Sequence, residues 1–295
     1  MEHFPVLLPR VLDFLDVKAA GTYVDCTLGE SHYAAAILAR LTTGRLIAID
    51  RDRAAIESAR QRLRSYGERV TFFHDSYGNL EKLLADCEPV EGIVADLGLS
   101  RRQFETPERG FSFQWRGPLD MRMDDQQELT AEHIVNHFDE RQLADIIYQY
   151  GEERRSRRIA RAIVRERPIR DTLHLAEVVK RALPRGPRQR IHPATLTFQS
   201  IRIAVNDEIG ELERFLQAAP LLLAPAGRMV VVSFHSLEDR PVKQAFRMWA
   251  RREVLEILTR RIVRPDEKEI AQNPASRSAK LRAAERTKTS WWHLN

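Results

Sequence analysis

Along the first hundred residues, short apolar runs alternate with stretches whose apolar positions recur at helical spacing. The runs GTYVD, RLIAID and GIVAD end on Asp25, Asp50 and Asp96. Continuous apolar runs of this length, bounded by turn residues, are the mark of strands buried on both faces. The pattern predicts strands at 22–25, 45–50, 70–74 and 92–97, helices at 33–41, 53–65 and 79–86 between them, and a short amphipathic helix at 7–16. Such alternation implies a parallel sheet with helices on both faces and right-handed crossovers. After Gly98 the pattern changes. Residues 101–128 have no clear period, and from 130 to 183 the period is helical, through TAEHIVNHF, ERQLADIIYQYG, RRSRRIARAIVRE and TLHLAEVVKRAL. Past 205 the earlier pattern returns, with a helix over ELERFLQAAPLLLA, a strand over GRMVVVSFHS, a helix over DRPVKQAFRMWARR and RRIVRP as a closing strand. The polar, basic stretch from 265 to 290 reads as irregular. The expected fold class is α/β, with residues 1–104 and 205–295 forming one domain and an all-α domain, 105–204, inserted after the fourth strand.

Composition narrows the function classes. The 295 residues carry a formal charge of +5 and 43% hydrophobic residues, a globular content compatible with a polyanionic partner. The two cysteines, Cys26 and Cys87, form no C-x-x-C pair, and no His/Cys cluster has metal-ligand spacing, so no metal is expected. No apolar run approaches the ~18 residues of a membrane span, and the first residues carry no basic leader. A cytoplasmic protein without a membrane partner is expected.

The candidate chemistry lies at the strand tips. In open α/β sheets ligands bind beyond the carboxyl ends of the strands, and an acid about 20 residues past a glycine loop takes ribose hydroxyls. Gly29 and Asp50 have that relation. Asp52, directly before Arg53, is the better helix cap, which leaves Asp50 for a nucleoside. Asp96, followed by Gly98, sits at the switch point of the sheet. SFHSLEDR, 233–240, would bring Ser233, His235 and Ser236 to the same edge, without the G-x-S-x-G elbow of a serine hydrolase. Arg154, Arg155, Arg157, Arg158, Arg161 and Arg165 cannot all share one helix face. Nearby acids mark part of that run as a solvated, ion-paired face. Arg181, Arg185, Arg188, Arg190 and His192 lie in a Pro/Gly-broken loop suited to phosphates, with Arg185, Arg188 and Arg190 as candidate RNA contacts. Phe111, Phe113 and Trp115 are either core or base-stacking surface.

Five strings, ERGFSFQWRGPLDMRMD (108–124), YGEER (150–154), HPATLTFQSIRIAVNDEIGELE (192–213), SFHSLEDR (233–240) and NPASRSAKLRAAER (273–286), resemble the RsmH (MraW) family over nearly the whole chain. That family methylates N4 of a cytosine in bacterial small-subunit ribosomal RNA. The resemblance implies a class I S-adenosylmethionine (SAM) methyltransferase fold, Rossmann-like, with an inserted helical domain. It also implies cofactor contacts at Ser31, His32, Tyr33, Asp50, Tyr77, Asp96 and Gln103. The chain departs from the family pattern at Ser31-His32-Tyr33-Ala34, where the family resembles Gly-Gly-His-Ser, and at LSRRQFE, where it resembles VSSPQLD. A non-glycine residue in a left-handed conformation costs on the order of 1–2 kcal/mol, so weaker cofactor binding is expected. Ser100 and His235 are the candidates for orienting the amine or taking its proton. The expected partner is small-subunit rRNA in an assembled or assembling 30S particle, with the enzyme a monomer or homodimer. The competing reading is a non-catalytic RNA-binding or ribosome-assembly protein that has lost SAM through its altered 29–34 loop.

Overall fold

The computed structural model describes residues 5–183 and 192–288. The first elements are α1 (Leu8–Leu15), β1 (Thr22–Asp25), α2 (His32–Leu38), β2 (Arg45–Asp50), α3 (Arg53–Arg62), β3 (Val70–His74), α4 (Leu80–Leu83) and β4 (Val90–Asp96). Among the described residues helices then follow without an intervening strand: α5 (Arg101–Glu105), α6 (Ala131–His137), α7 (Glu140–Gly151), α8 (Ser156–Glu166), α9 (Thr172–Ala182) and α10 (Thr195–Asn206). The remainder is α11 (Glu208–Leu222), β5 (Leu223–Ser233), α12 (Ser236–Arg251), β6 (Leu255–Ile257), α13 (Glu267–Gln272) and β7 (Lys280–Arg286). The chain divides into two compact units, residues 1–98 with 209–295, and residues 99–208. The boundaries expected at 104/105 and 204/205 fall inside α5 and α10. The helical structure begins earlier because Ser100 and Gln103 form a capping box that opens α5, and it ends later because α10 runs to a left-handed cap at Asp207.

The α/β unit is built on one seven-stranded sheet in the order β3-β2-β1-β4-β5-β7-β6. The five strands β1 to β5 pair in parallel. Successive side chains of each strand point to opposite faces. Tyr23, Leu46, Val94 and Val230 pack with Val11, Leu15, Ile37 and Ile56 of α1, α2 and α3. Val24, Ile47, Ile93 and Met229 pack with Leu80, Phe215, Phe246 and Trp249 of α4, α11 and α12. Both faces are thus covered, which is why the strands read as unbroken apolar runs.

The C-terminal stretch expected to be irregular instead supplies an internal strand. β7 lies between β5 and β6, antiparallel to both, and RRIVRP contributes only an isolated bridge between Val263 and Leu281. The physical reason is ion pairing. Arg282 forms a two-point pair with Asp239 of α12, and Glu285 accepts from Arg228 of β5 at 2.8 Å. Leu281, Ala283 and Ala284 fill the remaining positions and are fully buried.

The helical unit packs α6 to α10 around Ile134, Leu143, Ile147, Ile159, Ile163, Leu175, Val179 and Ile201. The aperiodic segment 101–128 belongs to this core through Phe111, Leu119, Met121 and Met123. The Asn206 side chain fastens it, donating to the Met121 carbonyl and accepting from the Met123 amide, both at 2.7 Å. Among the described residues no helix is long and apolar enough to cross a membrane.

Candidate active site

The sheet register brings three acids to one edge. Asp25 of β1 pairs with Ala48 of β2 and Val94 of β4. Asp50 and Asp96 each lie two residues beyond those partners, so all three carboxyls end neighbouring strands at the carboxyl edge. This is the point where the connections from β1 and β4 diverge, the usual ligand crevice of such sheets.

The loop after β1 is folded onto these acids. The Thr27 amide donates to Asp25, and the Thr27 hydroxyl accepts from the Asp96 amide at 2.6 Å. The Gly29 amide donates to Oδ2 of Asp50 at 2.7 Å, and Oδ1 of Asp50 accepts from the Asp52 amide at 2.8 Å. Asp52 caps α3 by accepting from Ala54. Asp50 therefore orders the loop with two of its roughly four lone-pair sites. Gly29 has φ 46° and Ser31 φ 59°. The left-handed turn expected of glycine is thus made by Ser31 itself, which is buried and opens α2. His32 is half-buried, with Nδ1 4.0 Å from Glu30. Tyr33 is buried, and its hydroxyl donates to the Val6 carbonyl beside Asp96.

The acids are costly as they stand. Burial, opposed by the Thr27 amide and reinforced by Asp50, pushes Asp25 up to about 7. Burial, opposed by the Asp52 and Gly29 amides, pushes Asp50 up to about 6. Burial, then Asp25 and Glu238, pushes Asp96 well above the usual carboxylate range. Oδ2 of Asp25 and Oδ1 of Asp96 are buried without a hydrogen-bond partner among the described residues. Buried acceptors of this kind call for a donor or a cation from outside the chain. S-adenosylmethionine, with a sulfonium, an ammonium and ribose hydroxyls, fits that demand.

The tip of β5 adds a second group. Asp96 pairs with Val232, one residue before Ser233. Oε2 of the buried Glu238 accepts from the Phe234 amide at 2.7 Å, and its Oε1 lies 3.0 Å from Nε2 of His235. The ring nitrogens of His235 make no aligned hydrogen bond among the described residues. Gly98, at φ 99°, passes over this pair. A Cβ there would sit 3.7 Å from the Phe234 ring and 3.8 Å from Oε1 of Glu238. The Ser233 hydroxyl donates to the Lys280 carbonyl at 3.4 Å.

Sequence reasoning missed two residues here. Glu238 was legible only as the third residue after His235 in a capping box. Glu211 of α11 joins the loops after β2 and β3, since Oε1 pairs with Arg51 at 3.1 Å and Oε2 accepts from the Ser76 hydroxyl. Tyr77, one residue on, packs edge-on against Phe215 at 5.4 Å.

The other expected site residues belong to the helical unit. The Ser100 hydroxyl accepts from the Gln103 amide, and Oε1 of Gln103 accepts from the Ser100 amide, so both take part in capping α5. Of the aromatics, Phe111 is core, Phe113 stacks on His192 at 4.6 Å and meets Phe198, and Trp115 is 42% exposed. Arg185, Arg188 and Arg190 lie outside the described residues.

Comparison with known proteins identifies the family. The MraW methylase family matches residues 1–287. The ribosomal RNA small subunit methyltransferase H of Solibacter usitatus is 50% identical over 96% of this chain and 99% of its own. Its namesake from Koribacter versatilis is 49% identical over 96% and 94%. Among solved structures, an rRNA methylase from Streptococcus thermophilus is a distant likeness, 13% identical over 97% of this chain and 100% of that one, with a TM-score of 0.44. A match along almost the full length, at half identity, is decisive where the cofactor loop alone is not: this chain belongs to the MraW methylase family.

Proposed function

We propose that the protein uses S-adenosylmethionine to methylate N4 of a cytosine in bacterial small-subunit ribosomal RNA near the decoding site, acting in the cytoplasm on the 30S particle. The observation that carries the cofactor part is the set of buried carboxylates at the sheet edge, two of them with an oxygen that has no hydrogen-bond partner among the described residues. Asp50 holds the ribose hydroxyls, and Asp25 and Asp96 face the cationic end. The cofactor supplies a methyl group already activated by its sulfonium, so the protein's work is alignment.

The acceptor nitrogen is the harder partner, because its lone pair is delocalised into the ring. Acceptors on its two N–H bonds turn the lone pair out of conjugation. Asp96 and the carbonyls of 97–100 provide them, and Gly98 leaves the backbone open to approach. The proton released after transfer passes to His235, held against Glu238. The target base must be unstacked first, at a cost of a few kcal/mol in a duplex.

The competing reading, in which the cofactor has been lost, rests on the missing glycines. Ser31 adopts the left-handed turn itself, so the loop keeps its conformation without those glycines at the strain cost of a non-glycine residue there, which favours weakened rather than lost binding. Titration with SAM is expected to show saturable binding to the purified protein, and no binding would overturn the cofactor assignment. His235→Ala and Asp96→Ala should lower turnover far more than RNA affinity. Wild-type turnover in either would remove that residue from the chemistry.

A further inference from the structure

The helical unit carries a second basic feature that the sheet-edge site does not use. A groove of about 500 Å³ runs between α8 and α9. Its floor is Ala162, Val178 and Ala182, and its walls carry Arg158, Arg161, Arg165 and Arg181 against the single acid Glu166. Arg158, Arg161 and Arg165 follow at spacings of three and four, so they line one side of α8, while Ile159, Ala160 and Ile163 turn into the core. Within this groove Arg161 is held by Glu140 and Arg181 by Glu166, each at 3.4 Å. Arg158 and Arg165 have no carboxylate partner among the described residues.

We propose that this groove is a docking site for the phosphodiester backbone of the RNA substrate. The inference rests on RNA being the substrate of the sheet-edge site. The row from Arg158 to Arg165 spans ~10 Å along the helix, long enough to engage more than one phosphate of a strand. Guanidinium forks match phosphate oxygens bidentately. The small side chains of the floor let a backbone approach without displacing core residues. The groove offers no aromatic platform and no side-chain acceptor other than Glu166, and its guanidiniums meet phosphate oxygens whatever the base sequence. It therefore supplies affinity and orientation rather than sequence choice.

The test compares the full chain with the double variant Arg158→Gln/Arg165→Gln and with the charge-matched control Lys243→Gln/Arg247→Gln on α12. Binding to unmodified small ribosomal subunits and to a short single-stranded RNA is measured across a salt series, alongside methyl transfer. The groove variant should bind RNA roughly ten-fold more weakly, and its logarithmic salt slope should fall by about 1.5, the value for two lost phosphate contacts. KM for the particle should rise with kcat retained, and SAM affinity and thermal stability should be unchanged. The control should match wild type in all of these. Wild-type RNA affinity in the groove variant, or an equal loss in the control, would overturn the groove while leaving the proposed reaction intact. Failure of the wild-type chain itself to bind or methylate the particle would overturn both.

Discussion

Asp25 carries the tightest link between cost and use. Its side chain is fully buried, one oxygen lacks a hydrogen-bond partner among the described residues, and its carboxyl stands at about 7 against an ordinary 3.8. Because the folded value is raised, the folded chain holds a proton between about pH 4 and pH 7 that the unfolded chain has released. The ligand-free protein therefore loses stability as pH rises through that window, by at most about 4 kcal/mol from this group. Asp25→Asn removes the charge and keeps the shape, so at pH 8 it should raise the melting temperature of the ligand-free protein while weakening SAM binding at least ten-fold. Thermal unfolding and titration at pH 6 and pH 8 check both. An unchanged melting temperature at pH 8 would show that the charge is not buried at a cost. Ser31 gives a prediction of opposite kind. Ser31→Gly should stabilise the fold by about 1 kcal/mol through relief of the left-handed strain, with SAM affinity kept or improved. A loss of affinity would mean that the serine side chain itself is used.

At the scale of elements, what was legible follows from how each one buries itself. Strands covered on both faces announce themselves as apolar runs, so β1 to β4 and the acids at their tips were readable from pattern alone. α10 was missed because TLTFQSIRIAVN buries Thr197 and Ser200 among its apolar residues and shows no polar face. β7 was missed because Lys280, Arg282, Glu285 and Arg286 interrupt it. Their compensation by Asp239 and Arg228 is visible only once distant segments meet. Glu211 and Glu238 were hidden for the same reason, since what matters about them is a partner on another loop or the turn they hold. The family resemblance, in turn, supplied the cofactor contacts that no spacing implied. β7 makes a firm prediction. Removing residues 274–295 takes the strand from between β5 and β6 and exposes the apolar edge of β5, so the truncated chain should fail to fold, as read by circular dichroism and solubility. A stable, SAM-binding truncation would contradict a sheet in which β7 is an internal strand.

For the whole molecule, the proposed division of labour is between a unit whose buried acids suit a cationic, ribose-bearing cofactor and a unit whose exposed arginines suit a polyanion. An enzyme of this kind shows itself by where the methyl group ends up. The deciding measurement is nucleoside mass spectrometry of ribosomal RNA after incubating the protein and isotopically labelled SAM with small subunits from a strain lacking the modification. Label on N4 of a single small-subunit cytosine, lost with Asp96→Ala, is the predicted result. Label on another base, on large-subunit RNA or on none would contradict it.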